Sequence, residues 1–214
     1  MLITISTYLI GFGLGIFIWG PLSDLYGRKH IITIGMSLYV VSTYLSTLAT
    51  HFDMLATTRL LQAFGDSAGV TISFSMARDC FSGIKLIKTQ TTLAIMIMIA
   101  PMISPVIGTV LLMHNHWHNI FYFLSLYGVV LLLVTRFIPE TLDKSLGASH
   151  FLKSFKNYIS HVKNKRFLLL AFCTACSFSA FFCFIGSASI IYLEIYHTGK
   201  FLFCLLFAIN TLAI

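Results

Sequence analysis

A stripe of polar residues runs along an otherwise apolar segment, TTRLLQAFGDSAGVTISFSMARD (residues 57–79). Its members recur at helical spacing on one face: Arg59, Gln62, Asp66, Gly69 and Ser73. In a helix that spans a bilayer, charged residues are costly and nearly always face protein or a water-filled cavity. The stripe therefore predicts a helix face that lines a pathway for polar species or protons.

The residues alone leave two interpretations of Asp66 open. As a functional group it would take up and release a proton, because burial disfavours a charged carboxylate whereas the nearby Arg59 favours it. As a structural group it would be a hydrogen-bonded carboxyl that only stabilises helix packing. Asp66 lies two turns, roughly 10 Å, from Arg59 along the helix axis. The two would therefore meet only through Gln62 or water.

A second polar group lies in GPLSDLYGRKH (residues 20–30), between two long apolar stretches. Its two glycines permit close packing or a positive φ, and Pro21 restricts the backbone at a helix end. Asp24 and Arg28 are four residues apart and can pair on a helical turn. We expect a turn between two helices here.

The composition identifies the solvent around these segments. Of 214 residues, 57% are hydrophobic and 10% are charged, with a mean hydropathy of +0.89. Soluble domains are about 25% charged, and a soluble fold of this size could not bury so much apolar surface. The chain is therefore expected to be an all-α, polytopic membrane protein. The net charge is +7, but the basic residues lie in short loops between apolar segments. This placement is typical of a membrane protein and disfavours binding of nucleic acid.

Seven segments are long and apolar enough to span a bilayer as helices. They cover residues 2–20, 31–50, 54–77, 89–112, 119–138, 167–192 and 200–214. Twelve of the 14 Lys and Arg residues follow the first, third and fifth segments. The positive-inside rule then places those loops in the cytoplasm and the N-terminus outside. We expect no cleaved signal peptide, because no basic region precedes the first apolar stretch.

The longest loop divides the chain into three parts. Residues 1–138 are predicted to form an N-terminal helix bundle, residues 139–166 a cytoplasmic linker, and residues 167–214 the start of a C-terminal bundle. Apolar residues and lysines in SHFLKSFKNYISHVKNKR favour a basic amphipathic helix over residues 147–166 at the membrane surface. A solvated linker is the alternative.

The pattern G-P-L-S-D-L-Y-G-R-K resembles the loop signature G-x-x-x-D-[RK]-x-G-R-[RK] of the major facilitator superfamily, with Leu25 in place of a basic residue. The resemblance implies a cytoplasmic gating loop with a charge network that breaks as the transporter moves. The residues of this network and loop are Gly20, Asp24, Gly27, Arg28, Arg78 and Asp79.

The polar stripe is similar to the fourth helix of the superfamily's drug/proton antiporters, which carries R-x-x-Q-x-x-G followed by A-R-D. The resemblance implies that Arg59 takes part in proton movement, and the polar stripe adds Gln62 and Asp66 as candidate proton-coupling residues that line the pathway. Asp66 departs from the family pattern, where a small residue is usual.

The segment IMIMIAPMISPVIGTVLL (residues 95–112) carries two prolines that bend a helix and a glycine that allows close approach. It resembles the superfamily's antiporter helix in part. The form A-P-x-x-x-P-x-x-G, with Pro101, Pro105 and Gly108, is closer to the bicyclomycin-resistance (Bcr/CflA) drug-efflux subfamily.

Two other patterns suggest metal binding only weakly. His114, His116 and His118 alternate in HNHWHN, but no Cys or carboxylate is near in the sequence, so an aromatic interface anchor at Trp117 is preferred. Cys173 and Cys176 lie in an apolar helical stretch and are interpreted as small residues that face lipid or pack between helices. Neither a metal nor another cofactor is predicted.

The family plan of two six-helix halves rocking around a central site implies export of small amphipathic or antibiotic compounds in exchange for protons. The proton gradient would be the energy source, the bacterial cytoplasmic (inner) membrane the location, and lipid, protons and a drug-like substrate the partners. Against that plan, we expect this chain to cover family helices 2 to 8, a partial major-facilitator fold.

Two alternatives to a drug exporter stay open, and a third, an enzyme, is set aside. The chain could be a non-transporting gene remnant, or a split subunit that needs a complementing transporter fragment. It could also be a facilitator-type transporter of another small solute. An enzyme is not expected, because no nucleophile–base pair is evident.

Overall fold

The computed structural model describes residues 2–111, 117–142, 164–197 and 199–212. Every regular element in these ranges is helical, which confirms the all-α prediction. The helices are α1 (Leu2–Tyr26), α2 (Arg28–Thr47), α3 (Phe52–Cys80), α4 (Gly83–Leu111), α5 (His118–Thr135), α6 (Lys165–Ser189) and α7 (Lys200–Leu212), with a π-helical segment at Ile190–Ile195. The predicted amphipathic helix over residues 147–166 lies outside the described residues, apart from its last three positions.

Four of the described helices are long and apolar enough to cross a membrane: α1, α4, α5 and α6. Helices α2 and α3 are of similar length but contain more polar residues, several of which are buried. Several of these polar groups form hydrogen bonds within their own helix or with the neighbouring helix. Ser46 Oγ, for example, lies 2.9 Å from the Ser42 carbonyl oxygen of its own helix and 2.9 Å from Thr58 Oγ1 on α3. The less apolar helices therefore keep their polar side chains among protein neighbours, as a bilayer requires.

The described residues form two compact units. The first contains α1, α2, α3, α5 and the part of α4 up to Met96. The second contains Ile97–Val110 of α4, together with α6 and α7. The boundaries predicted at residues 138 and 166 stay a prediction.

Helix α3 occupies the centre of the first unit, because it packs against both α1 and α2, while α2 also packs against α5. Small residues bring these helices close together. A Cβ atom built at Gly65 would lie 2.6 Å from backbone atoms of both Gly35 and Tyr39, and one at Gly11 would meet the Leu60 carbonyl. In lipid, such close packing of small residues is a main source of helix association.

A cluster of buried apolar residues surrounds these crossings: Trp19, Ile31, Ile32, Met36, Tyr39, Ala68 and Ile72. The Trp19 indole nitrogen donates a hydrogen bond to the Phe64 carbonyl over 2.7 Å, which fixes α1 against α3. Other large apolar side chains on the same helices face outward, such as Phe17, which is 68% exposed. This distribution suits a protein whose solvent is the bilayer.

The prediction of a turn over residues 20–30 is wrong in extent. Helix α1 continues through Gly20, Pro21 and Asp24 to Tyr26, and α2 begins at Arg28. Pro21 removes one backbone hydrogen bond from α1 without ending the helix. The chain turns at Gly27 alone, whose φ of +98° is a conformation that favours glycine.

The second unit has its own small apolar cluster, formed by Ala188, Phe203, Cys204 and Phe207. The rings of Phe203 and Phe207 lie 5.8 Å apart between centroids. The π-helical segment packs against α6 and α7. Aromatic side chains therefore take a large part in the packing of this cluster.

Candidate functional site: a tyrosine between two charges of one helix and a charge cluster at the helix ends

The polar stripe of α3 meets a tyrosine from α1. The Tyr8 hydroxyl donates a hydrogen bond to Asp66 Oδ2 over 2.6 Å. The guanidinium carbon of Arg59 lies 5.2 Å from the centroid of the Tyr8 ring. One neutral side chain therefore contacts both ionisable residues of the stripe, and we call Tyr8, Arg59 and Asp66 the Tyr8 triad.

Arg59 is held by neutral partners from three helices. Besides Tyr8 on α1, its guanidinium carbon lies 5.2 Å from the centroid of the Phe121 ring on α5. Its Nη1 donates a hydrogen bond to Gln62 Oε1 over 2.8 Å, one helical turn along α3. A guanidinium at such distances is attracted to the negative faces of aromatic rings. The predicted neighbours Arg59 and Gln62 thus lie together.

In the described part of the chain, no ion pair joins Arg59 to Asp66. The ion pairs found there are those of Arg28 with Asp24 and Asp79. Gln62 bonds to Arg59, and Tyr8, which the sequence analysis did not single out, contacts both charges. A cation and an anion thus lie on one helix without neutralising each other directly.

Arg28 is the centre of the second charged group, where α1 and α2 meet the end of α3. Its Nη1 lies 2.6 Å from Asp24 Oδ1, and its Nε lies 2.9 Å from Asp79 Oδ2. Nη1 also donates a hydrogen bond to Ser23 Oγ over 2.6 Å. The Arg28 side chain is only 8% exposed. One guanidinium therefore connects three helices.

Glu140, which follows α5, completes this group. Its Oε1 accepts a hydrogen bond from the Arg28 backbone N–H over 2.9 Å, and its Oε2 accepts one from the Lys29 N–H over 3.2 Å. These N–H groups belong to the first turn of α2, where no carbonyl of the helix can accept them. Gly27 has no side chain that could do so. Glu140 is thus an N-cap supplied by a distant segment, and we call Ser23, Asp24, Arg28, Asp79 and Glu140 the Arg28 cluster.

Arg78 lies apart from this cluster, although it was expected to act with Asp79. Asp79 binds Arg28, whereas Arg78 Nη2 donates a hydrogen bond to Ser75 Oγ over 3.0 Å. Adjacent residues on a helix do not face each other. The helix therefore directs the two side chains to different neighbours.

The residues that resemble the antiporter helix, Pro101, Pro105 and Gly108, lie in the second unit. Helix α4 continues through both prolines. Apart from its chain neighbours and the nearby backbone of its own helix, no described atom lies within 4 Å of a Cβ built at Gly108. The close approach expected at Gly108 is therefore not seen among the described residues. The next residue, Thr109, makes a contact between helices: its hydroxyl oxygen lies 3.5 Å from the Cys204 sulfur. This polar contact connects α4 with α7.

Pro101 also lines an apolar cavity of about 290 Å³ within the second unit. Its other walls include Met98, Phe178, Phe181 and Phe182. A cavity of this volume is at the lower end of the range found for small-molecule pockets. Its lining would accommodate apolar or aromatic groups.

The histidine pattern is described only in part, because His114 and His116 lie outside the described residues. The Trp117 ring lies 3.8 Å from the His118 ring and 5.7 Å, edge-on, from Phe121, between centroids. Trp117 thus packs at the start of α5. Cys173 and Cys176 are both free and exposed on α6.

The fold defines a multi-pass helical membrane protein, the class to which transporters with polar groups between packed helices belong. The full chain, residues 1–214, matches the Major Facilitator Superfamily, and the chain belongs to this superfamily. The match confirms the resemblance seen in the motifs of α1 and α3, and with it the prediction of a partial major-facilitator fold.

Its relatives include named resistance proteins. The chain is 32% identical over 195 residues to a bicyclomycin resistance protein homolog of Haemophilus influenzae, covering 90% of this chain and 49% of the relative. It is 34% identical over 192 residues to an uncharacterized transporter of Rickettsia felis, covering 89% and 47%. It is 25% identical over 166 residues to multidrug resistance protein D of Escherichia coli, covering 77% and 42%. The chain spans about half the length of these relatives.

Two site residues, Tyr8 and Glu140, escaped the sequence analysis. A signal for Tyr8 was present, because Gly11 and Gly15 follow at helical spacing and form a G-x-x-x-G pair typical of a helix contact face. Glu140 carries no comparable local signal. Its partner N–H groups belong to a helix 112 residues earlier in the chain.

Proposed function

We propose that this chain is the proton-coupling part of an exporter that expels small amphipathic or antibiotic compounds in exchange for protons. The observation that carries this proposal is the Tyr8 triad. Its cation and anion lie within the helix packing of the first unit, and in the described residues neither forms an ion pair. Charges inside a membrane are retained for ion or proton pathways more often than for stability.

Arg59, Gln62 and Asp66 couple protonation to substrate release in this proposal, with protons entering from the outside. The Arg28 cluster forms the cytoplasmic gate. Its ion pairs join the ends of α1 and α3 to α2, and they break when the two halves of the transporter rock. Pro101, Pro105 and Gly108 belong to the helix that responds to this motion.

The proposed orientation has the N-terminus outside and the Arg28 cluster in the cytoplasm. The contacts of Arg28 with Asp79 and Glu140 support it, because they bring together the regions that follow α1, α3 and α5. These three regions carry most of the basic residues, and positive loops remain in the cytoplasm. The location would be the cytoplasmic (inner) membrane of a bacterium.

The names of the relatives support the substrate class, since they refer to bicyclomycin and to multiple drugs. Because the relatives are about twice as long as the matched residues, we propose that export takes place in an assembly or longer polypeptide that supplies the remaining helices. Lipid, protons and the exported compound are the other partners. The process requires the proton gradient and no cofactor or enzymatic step.

Replacement of the chromosomal gene of the native bacterium tests this proposal in the protein's own setting. Cells with Arg59→Ala should accumulate ethidium and be inhibited by bicyclomycin as strongly as cells without the gene, with the protein still present in the membrane. Arg136→Ala is the matched control, because the Arg136 side chain is exposed at the end of α5. It should behave as wild type.

Two outcomes contradict the proposal. Unchanged export in Arg59→Ala would show that Arg59 does not couple protons to transport. No difference between wild-type cells and cells without the gene would favour a non-transporting chain or a different solute.

A further inference from the structure

We infer that Asp66 is the group that carries the proton in this chain, and that Tyr8 is the positioning residue that keeps its carboxyl separate from Arg59. This inference rests on the proposed function, because it names the atom through which proton coupling takes place. It starts from the contacts of the Tyr8 triad.

The partner of Asp66 allows both of its protonation states. A carboxylate paired with a guanidinium is held in its ionised form. Asp66 instead accepts its hydrogen bond from the neutral Tyr8 hydroxyl, over 2.6 Å. A phenol hydroxyl can donate to a carboxylate, where the bond is stronger, and also to the carbonyl oxygen of a protonated acid. The same contact can therefore persist when Asp66 gains a proton.

The partners of Arg59 complete the separation. Its charge faces the Tyr8 and Phe121 rings and the Gln62 amide, all of which are neutral. Tyr8 presents its ring to the cation and its hydroxyl to the anion. A single side chain thus satisfies both charges without allowing them to form an ion pair.

The other ionisable groups around Asp66 cannot carry the proton. Tyr8 on α1 and Tyr39 on α2, which interacts electrostatically with Asp66, are phenols and already hold their protons near neutral pH. Arg59 on α3 stays protonated. Helix α5 contributes the uncharged Phe121 ring. Asp66 is the carboxyl of this group.

The proposed step forms one O–H bond and breaks none within the protein. A proton from the pathway adds to the Asp66 carboxylate, Tyr8 keeps its own proton, and its hydrogen bond passes to the carbonyl oxygen of the acid. The net charge of the Tyr8 triad changes from zero to plus one, and release of the proton reverses the change. Such a change in charge alters the cost of holding the triad between helices.

Infrared difference spectroscopy between high and low pH, on the full chain reconstituted in lipid, tests the inference. The chain has only seven acidic residues, so a carboxylic acid band can be assigned by substitution. All carboxyls contribute neutral-acid bands at low pH, and we expect one component of this signal, the Asp66 band, to be lost in Asp66→Asn. The band should remain in Asp53→Asn, because Asp53 is exposed in the first turn of the same helix.

The role of Tyr8 has its own spectroscopic signature. Tyr8→Phe should move the acid band to higher wavenumber, because the carbonyl loses its hydrogen bond. Tyr127→Phe is the matched control, since Tyr127 is 52% exposed on α5, and should leave the band in place. If Tyr8→Phe does not insert, tyrosine ring bands in the wild-type spectrum provide the same test. They should change with pH in wild type and stay constant in Asp66→Asn.

Several results would overturn the inference. These are an acid signal that is the same in Asp66→Asn as in wild type, an Asp66 band unmoved by Tyr8→Phe, or tyrosine bands that do not respond to pH in wild type. Proton-driven ethidium export that survives in Asp66→Asn cells would also overturn it and remove Asp66 from the proposed coupling residues, while leaving proton-coupled export and the role of Arg59 intact. Conversely, the Asp66 band could be observed while deletion of the gene leaves export unchanged. This pair of results would overturn only the proposed function.

Discussion

Two substitutions can separate the two contributions of Glu140 to the start of α2. Glu140→Ala removes both the charge and the acceptors of the Arg28 and Lys29 N–H groups. Glu140→Gln removes the charge but keeps one carbonyl oxygen that can still accept a hydrogen bond. Both variants leave the ion pairs of the Arg28 side chain in place.

The expected change in the free energy of unfolding follows from the two hydrogen bonds of Glu140 and from its negative charge at the N-terminus of α2. Loss of a side-chain N-cap costs about 1 kcal/mol, and loss of a negative charge at a helix N-terminus costs about 0.3–1 kcal/mol. We therefore expect Glu140→Ala to lower the free energy of unfolding by about 1.5–2 kcal/mol. Glu140→Gln should lower it by about 0.5 kcal/mol.

Equilibrium unfolding with sodium dodecyl sulfate in mixed micelles, followed by far-ultraviolet circular dichroism, measures these changes. Added salt is an internal control, because it screens the charge contribution and leaves the neutral hydrogen bond. The difference between wild type and Glu140→Gln should therefore shrink with salt, while the penalty of Glu140→Ala should largely remain. Equal penalties for both variants, or an Ala variant as stable as wild type, would refute the assignment of Glu140 as a cap.

Two further predictions concern the packing of the first unit, and the same unfolding measurement checks both. Arg28→Ala leaves two carboxylates without their partner; because these are 33% and 22% exposed, we expect a loss of about 2–3 kcal/mol, below the fully buried case. Arg136→Ala should change stability by less than about 0.5 kcal/mol. A similar loss in Arg28→Ala and Arg136→Ala would contradict the assignment of Arg28 as the stabilising partner of the two carboxylates. Gly65→Ala places a Cβ 2.6 Å from the α2 backbone and should cost about 1–3 kcal/mol. Gly69→Ala meets its nearest neighbour at an ordinary 3.7 Å, so it should be neutral or stabilising, and an equal loss at both glycines would exclude close packing as the cause.

Contacts set by spacing along a single helix could be predicted from the sequence. Asp24 and Arg28 pair at a separation of four residues, and Arg59 bonds Gln62 at a separation of three. Both follow from the geometry of the helix surface, which needs no knowledge of neighbouring helices. The seven helices themselves were also predictable, because runs of apolar residues must be helical in lipid.

Contacts between helices could not be predicted in the same way. Tyr8 and Asp66 are 58 residues apart, and Arg28 and Glu140 are 112 residues apart. In a membrane, apolar residues face lipid and protein alike, so hydrophobic periodicity does not show which face meets a neighbour. The extent of α1 was missed for a local reason. In the sequence Pro21 indicates a helix end, whereas the positive φ of Gly27 determines where the chain turns.

The position of Glu140 also fixes an order of events during synthesis. Because Glu140 is 112 residues after Arg28, a ribosome that adds about 5–20 residues per second produces it about 6–22 s later. In that interval the first N–H groups of α2 lack their Glu140 acceptor and can bond only to water or lipid head groups at the membrane surface. The α1–α2 turn is therefore synthesised before its cap, and the segment after α5 completes it.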